Sequence, residues 1–210
     1  MLSEAIGDLT TPAMAVALSP FPIVAIALVL GGPGGLRVGA AFSAGWVAGL
    51  GGMATLLLLA ASELSGGGAG GAQILFGLFL LAAAWRTWRK RCPDGPAKAP
   101  AWIGALEAPS ATRAALIGAG LGGLNAKNIA IASAAVAAIL GHGLAGSEAA
   151  LALTAFTLIA SSTVLGAFLA RAIGGRGVEA SLDRLKRFMI RNADAIVIVV
   201  SEETGGIRIA

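Results

Sequence analysis

The residues of this chain that could do chemistry are few, and the densest group is Leu124-Asn125-Ala126-Lys127-Asn128. It sets a cation and two amide side chains at the centre of a long apolar segment, Ala114 to Leu140, otherwise made of Ala, Ile, Leu, Val, Gly and one Ser. Insertion scales put a lysine in the middle of a spanning helix at about 2.5–3.5 kcal/mol. About 13 residues on each side, roughly 20 Å of helix, place both interfaces far from Lys127 and argue against snorkelling. Ionisable residues at that depth usually face a bundle interior or an aqueous cavity and mark a pathway. Lys127 with Asn125 and Asn128 therefore reads as a binding site for an anionic or zwitterionic head group: carboxylate, sulfate or phosphate.

A second cluster, Ser19-Pro20-Phe21-Pro22, interrupts an earlier apolar segment near its middle. Two prolines remove amide donors and clash with the preceding turn, so the helix must break or unwind there. Non-helical backbone at membrane depth is tolerated only where protein or a water-filled cavity satisfies it. Ser19, Pro20 and Pro22 are accordingly expected to form the opposing half of the site, with a plain proline kink as the alternative.

Other chemistries lack their residues. Asp and Glu occur at positions 4, 8, 63, 94, 107, 148, 179, 183, 194, 202 and 203, at span ends and in loops. Hard-metal transport would need several anionic oxygens together within the spans. No Ser/His/Asp set or acidic pair appears there either, so neither an enzyme nor a bound cofactor or metal is expected. Cys92 is the one cysteine, which excludes a two-cysteine redox relay. His142, the one histidine, lies in Gly141-His142-Gly143 with no acid or Cys nearby in sequence, and reads as a turn residue.

The elements that position these residues are apolar helices. Of the 210 residues 57% are hydrophobic and 12% charged, and mean hydropathy is +0.84, far from the about 25% charged of a soluble domain. The expected fold is an all-α polytopic membrane protein. Its 31 glycines suit close helix packing, as at Gly45-Trp46-Val47-Ala48-Gly49 and Gly118 to Gly122. The net charge of +4 is read as topology information and not as nucleic-acid binding. With Glu4 and Asp8 and no Lys or Arg before Arg37, the N-terminus does not read as a cleaved signal peptide.

Six spans are expected. Segment 1 runs from about Ile6 to Leu30, and segment 2 from Val38 to Ala61, where Ser43 and Thr55 should bond to backbone. Segment 3, about Ala72 to Trp88, ends in an interfacial anchor of Trp85, Trp88, Arg86, Arg89, Lys90 and Arg91. Segment 4 bears the lysine. Segment 5, about Ala149 to Ala170, carries Thr154, Thr157 and Ser161 on one face, for interhelical hydrogen bonds or, second, to line a cavity. Segment 6, Phe188 to Ile209, is the most polar, with Ala195 to Val200 its continuous apolar run. Basic residues gather in the connections after segments 1, 3 and 5, while the opposite side has Arg208 alone. The positive-inside rule then sets those connections in the cytoplasm and the N-terminus outside a multi-pass plasma-membrane protein.

Aligning the chain on itself at an offset of 106 residues pairs Leu18 to Ile23 with Leu124 to Ile129. Each is a polar or breaking cluster followed by an apolar run ending in glycine. They fall at corresponding places in two three-helix repeats, residues 1–91 and 113–210, joined by a cytoplasmic loop at 92–112. An odd number of spans per repeat makes the repeats inverted, with helices 1 and 4 interrupted at mid-membrane. Paired interruptions of this kind point to a transporter site near the bilayer midplane.

Four groups of residues carry a resemblance. They are Ala17-Leu18-Ser19-Pro20-Phe21-Pro22-Ile23, Phe42 with Gly45-Trp46, Pro100-Ala101-Trp102 with Glu107, and Gly122 to Asn128. In these the chain, from about residue 10 to 192, resembles the sulfolipid/peptidoglycolipid-addressing proteins of actinobacteria, a branch of the lysine-exporter superfamily. The resemblance implies a six-helix plasma-membrane protein that moves envelope glycolipids or their precursors outward. The family pattern at the second break is Asn-Pro-Lys-Asn, and here Ala126 stands in the proline's place, which removes a covalent cause for the break. Two other functions fit the same residues: an accessory subunit of a larger lipid-export complex, and a lysine-exporter-type amino-acid exporter. The partners expected are the membrane, a lipid or small anion, such a complex, or further copies of the chain.

Overall fold

The computed structural model describes residues 2–32, 34–65 and 110–174. Segment 3 with its Trp/Arg anchor, most of the 92–112 loop with Cys92, Trp102 and Glu107, and segment 6 lie outside the described residues. Among the described residues are seven α-helices: α1 (Leu2–Ala17), α2 (Pro20–Leu30), α3 (Gly35–Ser65), α4 (Ala111–Gly123), α5 (Ala126–Gly141), α6 (Gly146–Ala160) and α7 (Ser162–Ile173). No strand occurs among them. α3 is by itself long and apolar enough to cross a membrane. The pairs α1–α2, α4–α5 and α6–α7 each qualify as one span bent by 56°, 56° and 60°.

The first two bends answer the sequence closely. They fall at Leu18–Ser19 and Leu124–Asn125, positions related by the expected offset of 106. Ser19 (φ −61°, ψ 130°) and Asn125 (φ −76°, ψ 124°) both hold extended backbone as the residue before the new helix. Pro20 stands at the first position of α2, where its missing N–H costs no hydrogen bond.

The third bend is a correction: segment 5 is two helices, not one. Ser161 (φ −94°, ψ 0°) ends α6, its N–H still donating to the Thr157 carbonyl at 3.0 Å. No proline is present, and the bend coincides with the run Ser161-Ser162-Thr163, residue types whose hydroxyls compete for backbone groups.

Glycine sets the tightest contact in the fold, α3 along α4. A Cβ added at Gly45 or Gly49 would strike the carbonyls of Ala115 or Ala119, and one at Gly118 the Phe42 carbonyl. Position numbers rise together on both helices, so α3 and α4 run in the same direction. The chain leaves α3 at one end of the bundle and enters α4 toward the other. α6 packs along α1 and α7 against α2, as α3 packs along α4 and against α5. Phe42, Trp46, Leu50, Phe156, Leu9, Ile26 and Ile139 fill the core, while Leu56, Leu59, Leu116, Leu151, Leu158 and Leu169 face outward. An apolar exterior around a packed core is what a lipid solvent permits.

Candidate functional site

The break between α4 and α5 would leave backbone groups unpaired in an apolar interior, and the two asparagines pair them. Asn125 Oδ1 accepts from the Lys127 N–H at 3.0 Å, capping α5. Asn128, 3% exposed, donates both amide hydrogens, to the carbonyls of Leu121 (3.1 Å) and Gly122 (3.0 Å) at the end of α4. Asparagine side chains thus do here what proline does at the first break. The side chain of Lys127 stands half-buried in the first turn of α5, immediately above the turn they hold.

The first break is fastened from another element. Thr163 Oγ1, in the first turn of α7, donates to the Ala17 carbonyl at 2.7 Å, joining the first and third interruptions. Ser19 is buried at 6% exposure and makes no side-chain cap on α2. Pro22 is buried as well. Of the expected site residues, Asn125, Lys127 and Asn128 form one turn, Ser19, Pro20 and Pro22 another. Each turn ends in a helix N-terminus, as does the Ser161 break, and those ends carry partial positive charge.

Charges sort along the bundle. Arg37, Arg113 and Arg171 lie toward one end, near the starts of α3 and α4 and the close of α7. Glu4, Asp8, Glu148 and His142 lie toward the other. Among the described residues Lys127 is the charged group belonging to neither end. His142 sits in the turn after α5 as expected, but an acid does accompany it: its Nε2–H donates to Asp8 Oδ2 at 2.8 Å. The partner lies 134 residues away, beyond what local sequence can report. No group of three His, Cys, Asp or Glu suited to a metal occurs among the described residues.

A groove of about 640 Å³ opens between α3 and α6, walled by Val47, Gly51, Leu58, Leu144, Ala149 and Leu153 among others. Thr55, Thr154 and Thr157 also line it. Their hydroxyls donate to their own helices, at Gly51 (2.8 Å), Ala150 (2.7 Å) and Leu153 (2.9 Å). Thr154 and Thr157 therefore make no interhelical bond through these hydroxyls, and they present methyl groups to a hydrocarbon-lined space. Lining a cavity, the second of the two roles open to them, is the one they fill.

Three buried polar atoms have no partner among the described residues: Ser43 Oγ, Trp46 Nε1 and Ser161 Oγ. Thr55 bonds backbone as expected, while Ser43 does not. In the sequence Trp46 belongs to a glycine-packing stretch and to the Phe42/Gly45-Trp46 motif, neither of which points to its N–H.

Comparison with known proteins gives one assignment. No curated protein and no solved structure matches the chain. The family model described as "Sap, sulfolipid-1-addressing protein" matches residues 9–207, nearly the whole chain, and the protein belongs to that family.

Proposed function

We propose that this protein is a plasma-membrane transporter that moves an anionic or zwitterionic envelope glycolipid, or its precursor, outward. The observation that carries this reading is the pair of breaks at Leu18–Ser19 and Leu124–Asn125, equal in bend and placed 106 residues apart. Interrupted helices in corresponding positions of two halves are how secondary transporters build a midplane site. The reciprocal packing, α3 with α4 and α5 against α6–α7 with α1 and α2, supports two inverted repeats of three spans each.

Lys127 is the head-group cation in this reading, and Asn125 and Asn128 hold the turn that presents it. At each break the N-terminus of α2, α5 or α7 stands beside the C-terminus of the preceding helix, and an anion is favoured on the N-terminal side. The hydrocarbon-walled groove between α3 and α6 suits an acyl chain, which favours a lipid over a free amino acid. The sorting of Arg37, Arg113 and Arg171 to one end supports a cytoplasmic placement of that end. The Asp8–His142 contact then belongs to the outer face, with the N-terminus outside. Parallel α3 and α4 agree with their being the second and fourth of six crossings.

The test is a lipid profile of envelope and cytoplasmic membrane in a deletion strain complemented with wild type or Lys127→Ala. The expected result is loss of one surface glycolipid in the deletion and in the Lys127→Ala strain, at equal membrane levels of the protein. Full rescue by Lys127→Ala would overturn the site and favour an accessory subunit of a larger export complex. An unchanged lipid profile in the deletion would refute lipid transport and favour amino-acid export.

A further inference from the structure

The three orphaned polar atoms lie within about one turn of one another along the bundle. A Cβ at Gly122, in the last turn of α4 before the break, would lie 2.6 Å from the Trp46 carbonyl. Along α3, Gly39 faces Phe168 (3.5 Å) and Gly51 faces Thr157 (3.3 Å), in opposite chain directions. At 1.5 Å per residue that register sets Ser161 opposite Val47, and Ser43 about one turn away, opposite Val164. Thr163, two residues beyond Ser161, holds the Ala17 carbonyl at the α1–α2 break. All three interrupted spans therefore change direction within about one turn of Trp46.

Trp46 is placed to look into that meeting point. Gly45 and Gly49 turn one flank of α3 to α4, Gly39 and Gly51 turn the other to α6 and α7, and Trp46 lies between the two contact lines. Its ring is 2% exposed, yet its N–H has no acceptor among the described residues. An indole nitrogen can only donate, and a buried donor without a partner carries a desolvation cost that native interiors rarely leave standing.

Resting on the transport reading, we propose that Trp46 donates its indole N–H to an anionic oxygen of the passing head group, with the Ser43 and Ser161 hydroxyls lining the same passage. The ligand group is an acceptor, such as a sulfate, phosphate or carboxylate oxygen. An indole N–H fixed in the core can only donate, so the atom that meets it must be an acceptor. Lys127 supplies the charge and Trp46 the directional hydrogen bond.

The experiment uses the full-length protein in nanodiscs with two probes, a sulfated galactosylceramide and its uncharged parent. Trp46→Phe keeps an aromatic ring and deletes the N–H. Expected are an about tenfold or greater loss of affinity for the sulfated lipid, little change for the uncharged one, and an unchanged or raised unfolding midpoint. Ser43→Ala combined with Ser161→Ala provides a second variant with almost no change in shape, and a smaller loss in the same direction is expected. Equal affinity of wild type and both variants for the sulfated lipid would overturn the proposal while leaving Lys127 and the transport reading intact. Equal losses for the two lipids would also overturn it, because shape and not hydrogen bonding would then be the cause. Failure of the wild type to bind either lipid would refute both this proposal and the function on which it rests.

Discussion

Replacing Asn128 with alanine separates the roles of the two polar side chains beside it. The substitution removes two hydrogen bonds, of 3.1 and 3.0 Å, and leaves the Leu121 and Gly122 carbonyls without that partner. Interhelical hydrogen bonds in bilayers average about 0.6 kcal/mol, so the two bonds alone contribute about 1.2 kcal/mol. The Gly122 contact is buried and the Leu121 contact partly so. Stranding a buried acceptor costs about 1–3 kcal/mol, which raises the expected loss to about 2–3 kcal/mol. Asn125→Ala, which removes the cap on the Lys127 N–H, should cost about 1 kcal/mol. Lys127→Ala relieves an intramembrane charge and should abolish export at a matched amount of folded protein. The assay is reversible unfolding in mixed micelles, run beside transport at matched amounts of folded protein. Asn128→Ala should lower stability while the remaining folded fraction still transports. An Asn128→Ala protein as stable as wild type but inactive would refute the reasoning, because the side chain would then serve the ligand and not the break.

The same geometry makes two further predictions. Ala126 occupies the first position of α5 behind an extended Asn125 (ψ 124°), a backbone that precedes proline without strain. Ala126→Pro should therefore leave transport intact and stabilise by about 0.4–1 kcal/mol; destabilisation in the unfolding assay would contradict the assignment of the break. Gly45→Ala places a methyl against the Ala115 carbonyl and should cost at least about 2 kcal/mol, as overpacking of backbone against backbone. Gly52, on the same helix, has nothing within 4 Å of its added Cβ. Gly52→Ala should gain about 0.5–1 kcal/mol, and thermal unfolding of the pair should show opposite signs.

What the sequence made legible follows from the range of each interaction. The breaks in segments 1 and 4 could be read because their causes are local: prolines at positions 20 and 22, and a polar cluster inside hydrocarbon. The close approach at Gly45 and Gly49 could be read because small-residue spacing is a property of one helix. The break at Ser161 was hidden, since three hydroxylated residues in an apolar segment are as compatible with a straight helix as with a bent one. The Asp8–His142 and Thr163–Ala17 contacts were hidden for another reason, as each joins residues more than a hundred positions apart. The donor at Trp46 escaped because a tryptophan beside glycines reads as packing, and only burial without a partner exposes its nitrogen as a polar group.

Position 126 shows how a break forms without a proline. A proline forces a break by removing an amide, so the interruption follows from covalent structure. With Ala126 in that place a continuous helix is chemically permitted, and it would carry Lys127 on an unbroken apolar rod. Continuity would restore the backbone bonds that end at Gly123, but it would strand the Asn125 and Asn128 side chains, three polar groups with the lysine, on a helix with no open carbonyl to receive them. The break instead consumes both asparagines: one caps α5, the other closes α4. Helix interruption and polar satisfaction are thus one event in this segment, and the lysine is carried by the turn that event creates. It follows that the asparagines, more than position 126, fix where Lys127 stands.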